Sequence, residues 1–416
     1  MPLIPIRELA KHGVNTDIDP FDLPPQAFNF AKNVRFTDGS ISRGPVWRNA
    51  ATLGDDDPRY IISFTPSSGL DIVYLGYKSG RVYEIDKGEE TDLSITDYAD
   101  ADSDLPFTST MVANVIYINR PDRVPWAMKP SDTEFTSTIG STNNWPSTYR
   151  ANLIRSCGGV VVALNITKNG TSYPTMVKWS EFATANAVPT NWDHTVSGTN
   201  AAENVLADMA EGIIDASPLG EALIIYSRQE AWKMQATGNS DVFAFTKLFT
   251  DGGAINANCS VEVDGVHFVF GSNDLWTHDG TTKVSIATGR VRSFIYSTIN
   301  ASKVNRCFVS HNTSLKEVVF HYVSGDAYTS FNDPTSNGCN RAAVYNYVSK
   351  TWTFYDTPLV FSACMANLDS RYDWDSDDLP TWTTIGGAWY DQEDGYKRVL
   401  TYVGETFAPH SLTASL

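Results

Sequence analysis

The feature that most limits what this chain can fold into is its punctuation. Apolar runs of four to seven residues recur along most of its length, each closed by Gly, Asn, Asp or Pro. They are Tyr60 to Phe64, Ile72 to Tyr77, Val112 to Ile118, Val160 to Leu164, Leu223 to Tyr226, Val266 to Phe270, Val318 to Val323, Ala343 to Val348 and Val399 to Val403. Runs of this length suit strands and are too short for ordinary helices. One segment reads as a helix, Ala201 to Ala210, ended by Gly212. Evenly spaced short strands with turn residues between them specify a sandwich, a barrel or a propeller.

A degenerate repeat narrows that choice. Three times an apolar run ends in an aromatic, and a second aromatic follows six residues later: Tyr77 and Tyr83, Tyr226 and Trp232, Phe270 and Trp276. Each second aromatic precedes a glycine, at Gly88, Gly238 and Gly280, and Tyr345 to Phe354 forms a looser copy. Each copy reads as two antiparallel strands whose aromatic packs against the neighbouring sheet. Blades of a propeller bury their faces in this way, since none has a core alone. The expected fold is therefore all-β: a propeller-like body of about five to seven blades, spanning 58–365.

The remaining segments differ. Residues 1–57 carry Pro20, Pro24, Pro25 and Pro45 and read as an extended N-terminal arm that orders against a neighbour. Within it, Asp38-Gly39 supplies a two-residue turn, with Val34, Phe36 and Ile41 giving the hairpin an apolar face. Residues 129–147 are polar and read as a long surface loop. Residues 366–416 comprise an acidic insertion followed by closing strands. The stretch Pro409 to Leu416 offers little further β-structure, which leaves ring closure open.

Composition excludes several functions. The net charge is −17, and no cluster of Lys and Arg interrupts it, which argues against gripping nucleic acid. The same acidity suits a surface past which DNA slides, or simple solubility. No run of 18 apolar residues is present to span a membrane. The five Cys lack metal-ligand spacing and read as buried free thiols, and the five glycosylation sequons read as chance. The seven His fall in no catalytic motif, and His278 beside Asp279-Gly280 reads as a turn residue. Asp373, Asp375 and Asp377 alternate like calcium ligands, but Asp378 stands where the loop needs Gly and Thr384 where it needs Glu. Asp100, Asp102 and Asp104 fail similarly. No catalytic, metal or cofactor site is expected, and no cofactor is implied.

The arm carries the most specific pattern. Gly13-Val14-Asn15-Thr16-Asp17, Asp22-Leu23-Pro24-Pro25-Gln26-Ala27, Asn33-Val34-Arg35-Phe36-Thr37-Asp38-Gly39 and Gly44-Pro45 resemble the opening of tail nozzle (tail tube or stabilisation) proteins of short-tailed bacteriophages. Gly212 to Asp215, Trp276 and Thr351 to Thr353 resemble the propeller body of the same group. The resemblance implies a structural, non-enzymatic virion protein, assembled in the bacterial host cytoplasm and carried in the tail. It implies a homo-hexameric ring below the portal and its adaptor ring, holding tail fibres or spikes and a plug or needle. Genomic DNA would pass through this ring without specific binding. Asn15, Leu23, Pro24, Pro25, Asn33, Arg35, Phe36, Asp38 and Gly39 then form the expected docking segment. Two other readings stay open: a glycan-binding receptor module of a fibre or spike, with Trp145, Trp374 and Trp382 as sugar platforms, and a glycan-cleaving tail enzyme, for which no motif argues.

Overall fold

A computed structural model describes residues 8–37, 39–44, 46–51, 53–54, 57–66, 71–86, 89–96, 98–239, 242–326, 338–367, 398–404 and 409–413. Among these residues the chain forms six consecutive antiparallel sheets arranged as the blades of a propeller. Blade 1 runs from Pro58–Phe64 to Glu89–Asp92, blade 2 from Thr108–Val112 to Trp126–Met128, and blade 3 from Tyr149–Cys157 to Ala202–Val205. Blade 4 runs from Asp215–Leu219 to Phe243–Phe249, and blade 5 from Ser260–Val263 to Lys283–Ser285. Blade 6 begins at Phe308–Asn312 and continues into a seven-stranded sheet. The fold class is the one the repeat predicts, with six blades.

The repeat itself is the hairpin made by the second and third strands of a blade. Tyr77 and Tyr83 meet edge to face across such a hairpin, with ring centroids 4.8 Å apart. Trp276 and Trp232 occupy the equivalent strand of blades 5 and 4 and enter the cores around them. The looser copy is a different hairpin, between the third and fourth strands of blade 6, where Tyr345 pairs with Trp352.

Closure is built into the last sheet. Its sixteen-residue strand Thr351–Ala366 pairs with Cys339–Asn346 along its first half and with Val399–Gly404 along its second. The second half also packs on blade 1, where Ala366 and Val403 join Ile61, Val73 and Leu75 in one apolar cluster. Pro409–Thr413 is a strand after all, and the arm strand Val46–Asn49 pairs with it at the sheet's outer edge. The last sheet thus combines a strand of the arm with strands from residues 399–413, a pairing that a one-dimensional reading of the last eight residues could not reveal.

Three sequence expectations are corrected. Ala202–Val205 is a strand, paired with Met176–Trp179, so residues 201–210 are not a helix. Sheet pairing overrides the modest helical propensity of Ala and Glu there. The α-helix among the described residues is Arg292–Thr298, whose sequence favours helix weakly and whose Ile295 is buried in the core. The run Val112 to Ile118 is two strands, because Ala113 and Asn114 adopt positive φ and turn the chain. Residues 129–147 are irregular but not superficial: Phe135, Ile139 and Trp145 anchor them in the cores of blades 1 to 3.

Candidate docking surface

The arm does not wait for a neighbour. Its described residues fold back onto blades 5 and 6 of their own chain. Asn15 is buried; its backbone N–H donates to the Phe28 carbonyl, and its side chain donates to the Gly289 carbonyl at 3.1 Å. Asn33 has positive φ, and its amide pairs reciprocally with Asp356. Asn33 Nδ2 donates to the carboxylate and the Asp356 N–H donates to Asn33 Oδ1, both at 2.9 Å. Phe36 is buried in the cluster that also contains Val14, Trp276 and Trp352. Gly39, at φ +75°, makes the two-residue turn that sets Thr37 opposite Ser40, as the hairpin signal predicts. Asp38 lies outside the described residues.

Arg35 makes the arm's charged anchor. Its Nε lies 3.1 Å from Oε1 of Glu317, a carboxylate only 1% exposed on the second strand of blade 6. The pair is held by charge rather than by an aligned hydrogen bond, and Glu317 Oε2 has no hydrogen-bond partner. Burial pushes Glu317 up to about 7, against the opposing pull of Arg35. Asn15, Asn33, Arg35 and Phe36 therefore act within the chain. Asn15 and Phe36 are buried against the body, while Asn33 stays exposed and Arg35 half-buried.

What the arm does offer is the loop between these anchors. Pro24 and Pro25 are exposed and Leu23 half-buried. At the loop's tip Phe21 is 99% exposed, and Ile18 is 37% exposed beside it. The tip is ordered by its own hydrogen bonds: Asp19 Oδ1 accepts from the Phe21 N–H at 2.9 Å, and the Asp22 N–H donates to the Asp19 carbonyl at 2.9 Å. Such an aspartate-closed turn fixes the backbone without burying the residue it presents. Sequence reasoning missed Phe21 because a lone Phe among Asp and Pro has no periodicity to mark it.

The propeller axis holds a second candidate, a cavity of about 430 Å³. Its polar groups are cross-links between blades. Arg155 Nη2 lies 3.2 Å from the fully buried Asp215 and donates to Asn258 Oδ1 at 2.9 Å, while Asn258 Nδ2 donates across the axis to the Phe107 carbonyl. Asp215 also accepts from the Cys259 N–H and the Ser260 hydroxyl. At one mouth Asp104 lies between Arg306, at 3.0 Å, and Arg59, at 3.9 Å, with Arg59 stacked over Phe361. Burial raises Asp104, and the two arginines outweigh it, leaving the carboxyl below its ordinary value. Asp100 and Asp102 are likewise turned toward Arg81 and Lys78, so the three aspartates face three different cationic neighbourhoods rather than one ion.

His278 belongs to a buried chain whose proton order the geometry fixes. The Gly280 N–H donates to His278 Nδ1, so Nε2 carries the proton and donates to the Tyr226 hydroxyl at 2.6 Å. That hydroxyl donates to His267 Nδ1 at 2.6 Å, and His267 Nε2–H donates to the Pro218 carbonyl. Every donor is used, and both rings are neutral. Burial, then the neighbouring His267, push His278 down to about 3. The chain bridges blades 4 and 5, so His278 is a buried strand residue rather than a turn residue, although its ring also accepts from the Gly280 N–H of the turn that follows.

No family model matches the chain, and no curated protein does. The likeness is to solved structures. One is the computationally designed Ika8 protein, 7% identical, with TM-score 0.47, covering 88% of this chain and 100% of that one. Another is the WD40 beta propeller domain of Doa1, 10% identical, with TM-score 0.46, covering 89% of this chain and 97% of that one.

The proposed sugar platforms fare differently from the arm. Trp145 is 4% exposed, packed edge to face on Trp192, with its indole N–H donating to the Tyr149 carbonyl. It is a core residue and offers no stacking face. Trp374 and Trp382 lie outside the described residues, as do Asp373, Asp375 and Asp377. Among the described residues no helix is long and apolar enough to cross a membrane.

Proposed function

We propose that the chain is a structural subunit of a phage tail nozzle, one member of a homo-hexameric ring that closes and lines the DNA ejection channel. The observation that carries this reading is the ordered turn that holds Phe21 wholly in water. An aromatic side chain forgoes about 2–3 kcal/mol of burial in that position, and aromatic residues on rigid supports are the usual anchors of protein interfaces. The arm sequences that resemble nozzle proteins surround this turn and fix it to the body. Other copies, the portal-adaptor ring, fibres or spikes, and a plug or needle are the partners the reading entails.

The conduit in this reading runs between subunits. A cavity of about 430 Å³ on the propeller axis has the size of a small-ligand pocket, far too small for a duplex, and arginines cross it. DNA would instead pass the outer walls of the propellers, where a net charge of −17 limits adhesion of phosphates. The role in this reading is mechanical. The test is localisation: particles of the encoding phage are labelled with a specific nanobody and imaged. Density at the tail below the portal is expected, and label confined to fibre tips or absent from particles would overturn the reading.

A further inference from the structure

We infer that the Phe21 turn seats in an apolar groove on a second copy of this chain, and that this contact is a joint of the assembly. The inference rests on reading the turn as an assembly contact. The groove lies between blades 5 and 6 and encloses about 540 Å³. Val266, Phe268, Ile286 and Tyr347 line it, Val284 at its edge is 53% exposed, and Arg290 and Lys350 add positive charge.

Charge decides the occupant. Asp19 and Asp22 flank Phe21 in the turn, both exposed, so the apolar tip carries two carboxylates, while Asp17 is held back on the body by the Ser293 N–H. The groove offers the complement, apolar surface flanked by two cations against the single Asp264. Two copies that each carry −17 repel over most relative orientations. A contact that brings the acidic tip beside Arg290 and Lys350 is one of the few they can make with opposite charges facing. The chain's own groove is not the occupied one. The Thr16 N–H donates to the Arg290 carbonyl, so the loop starts at the groove's rim, yet Phe21 remains 99% exposed.

The full chain with p-benzoylphenylalanine in place of Phe21 is irradiated as a mixture of isotope-light and isotope-heavy protein. Mixed-isotope cross-links from position 21 to residues 266–290 or 345–352 are the expected result. Sedimentation equilibrium is run in parallel on F21A and V284D, one change on each side of the contact. Each should weaken self-association about thirty-fold, the worth of burying one phenyl ring. Cross-links confined to one chain or mapping elsewhere, or variants that associate as the parent does, would overturn the contact. Irradiation within assembled particles separates the two levels. Capture of a different tail protein would sink the self-contact and leave the tail assignment standing. Absence of the chain from particles would remove that assignment, leaving the self-contact to be judged on the purified chain.

Discussion

Replacing His321 with Phe should reverse the order of stability of the two proteins between pH 7 and pH 5. His321 is fully buried, stacked on Phe308 at 4.2 Å and edge-on to Tyr402. Its Nε2 lies 3.0 Å from the Ser310 hydroxyl, and its Nδ1 has no partner. Burial pushes it down to about 3. The folded protein therefore keeps this ring neutral where the unfolded chain, near 6.5, takes up a proton. Its contribution is present above pH 6.5 and is lost as pH falls toward 3, at about 1.4 kcal/mol per pH unit. By pH 5 the loss is about 2 kcal/mol. Phenylalanine keeps the stack, forfeits the Ser310 hydrogen bond for about 1 kcal/mol, and carries no proton. H321F should be about 1 kcal/mol less stable than the parent at pH 7 and about 1 kcal/mol more stable at pH 5. Urea unfolding at half-unit steps of pH measures this directly. A gap between the two proteins that stays constant from pH 7 to 5 would refute the reasoning. The difference between the proteins is the quantity to read, because Glu317 works the other way. Its raised carboxyl adds stability that is full below about 4.5 and is lost as pH rises through about 7. In the parent alone it would mask about one histidine.

The arm clamp and the buried tyrosine give two further expectations. R35M leaves Glu317 buried without its counter-charge and should cost about 3 kcal/mol, more at pH 8.5 than at pH 6, where the carboxyl takes a proton instead. Urea midpoints at the two pH values check it, and equal losses at both would contradict it. Y226F removes the hydroxyl between His267 and His278, leaving an acceptor and a donor buried and unpaired, and should cost about 3 kcal/mol. Calorimetry on this variant tests the assigned proton order, since a loss under 1 kcal/mol would mean that the chain is not continuous.

The blades that were legible in the sequence are those whose second hairpin carries aromatics at both ends, blades 1, 4 and 5. Blades 2 and 3 do the same work by other means. In blade 2 the partner aromatic is Trp126, eight residues after Ile118, because the chain bends through the buried Arg120 and Arg123. In blade 3 the hairpin Val160–Lys168 and Thr171–Trp179 has nine-residue strands, which spreads its signal over a longer interval. The helix error at residues 201–210 has the same root, since a short edge strand is defined by the strand beside it. The site was half legible. Turn chemistry at Gly39 and the importance of Asn33 and Arg35 could be read locally. Their partners, Asp356 and Glu317, stand some 300 residues away, so sequence alone could not show that they bind their own chain. Phe21 shows the converse: exposure of an aromatic is a property of the whole surface, and no local pattern announces it.

The proposed place in a tail ring is tested most directly by counting. Under the proposal, absolute quantitative mass spectrometry on purified phage particles would give copies of this chain relative to the portal. The account predicts half as many copies as portal subunits, about six per particle. Absence from particles, or a larger multiple of three as a fibre or spike would give, would contradict it.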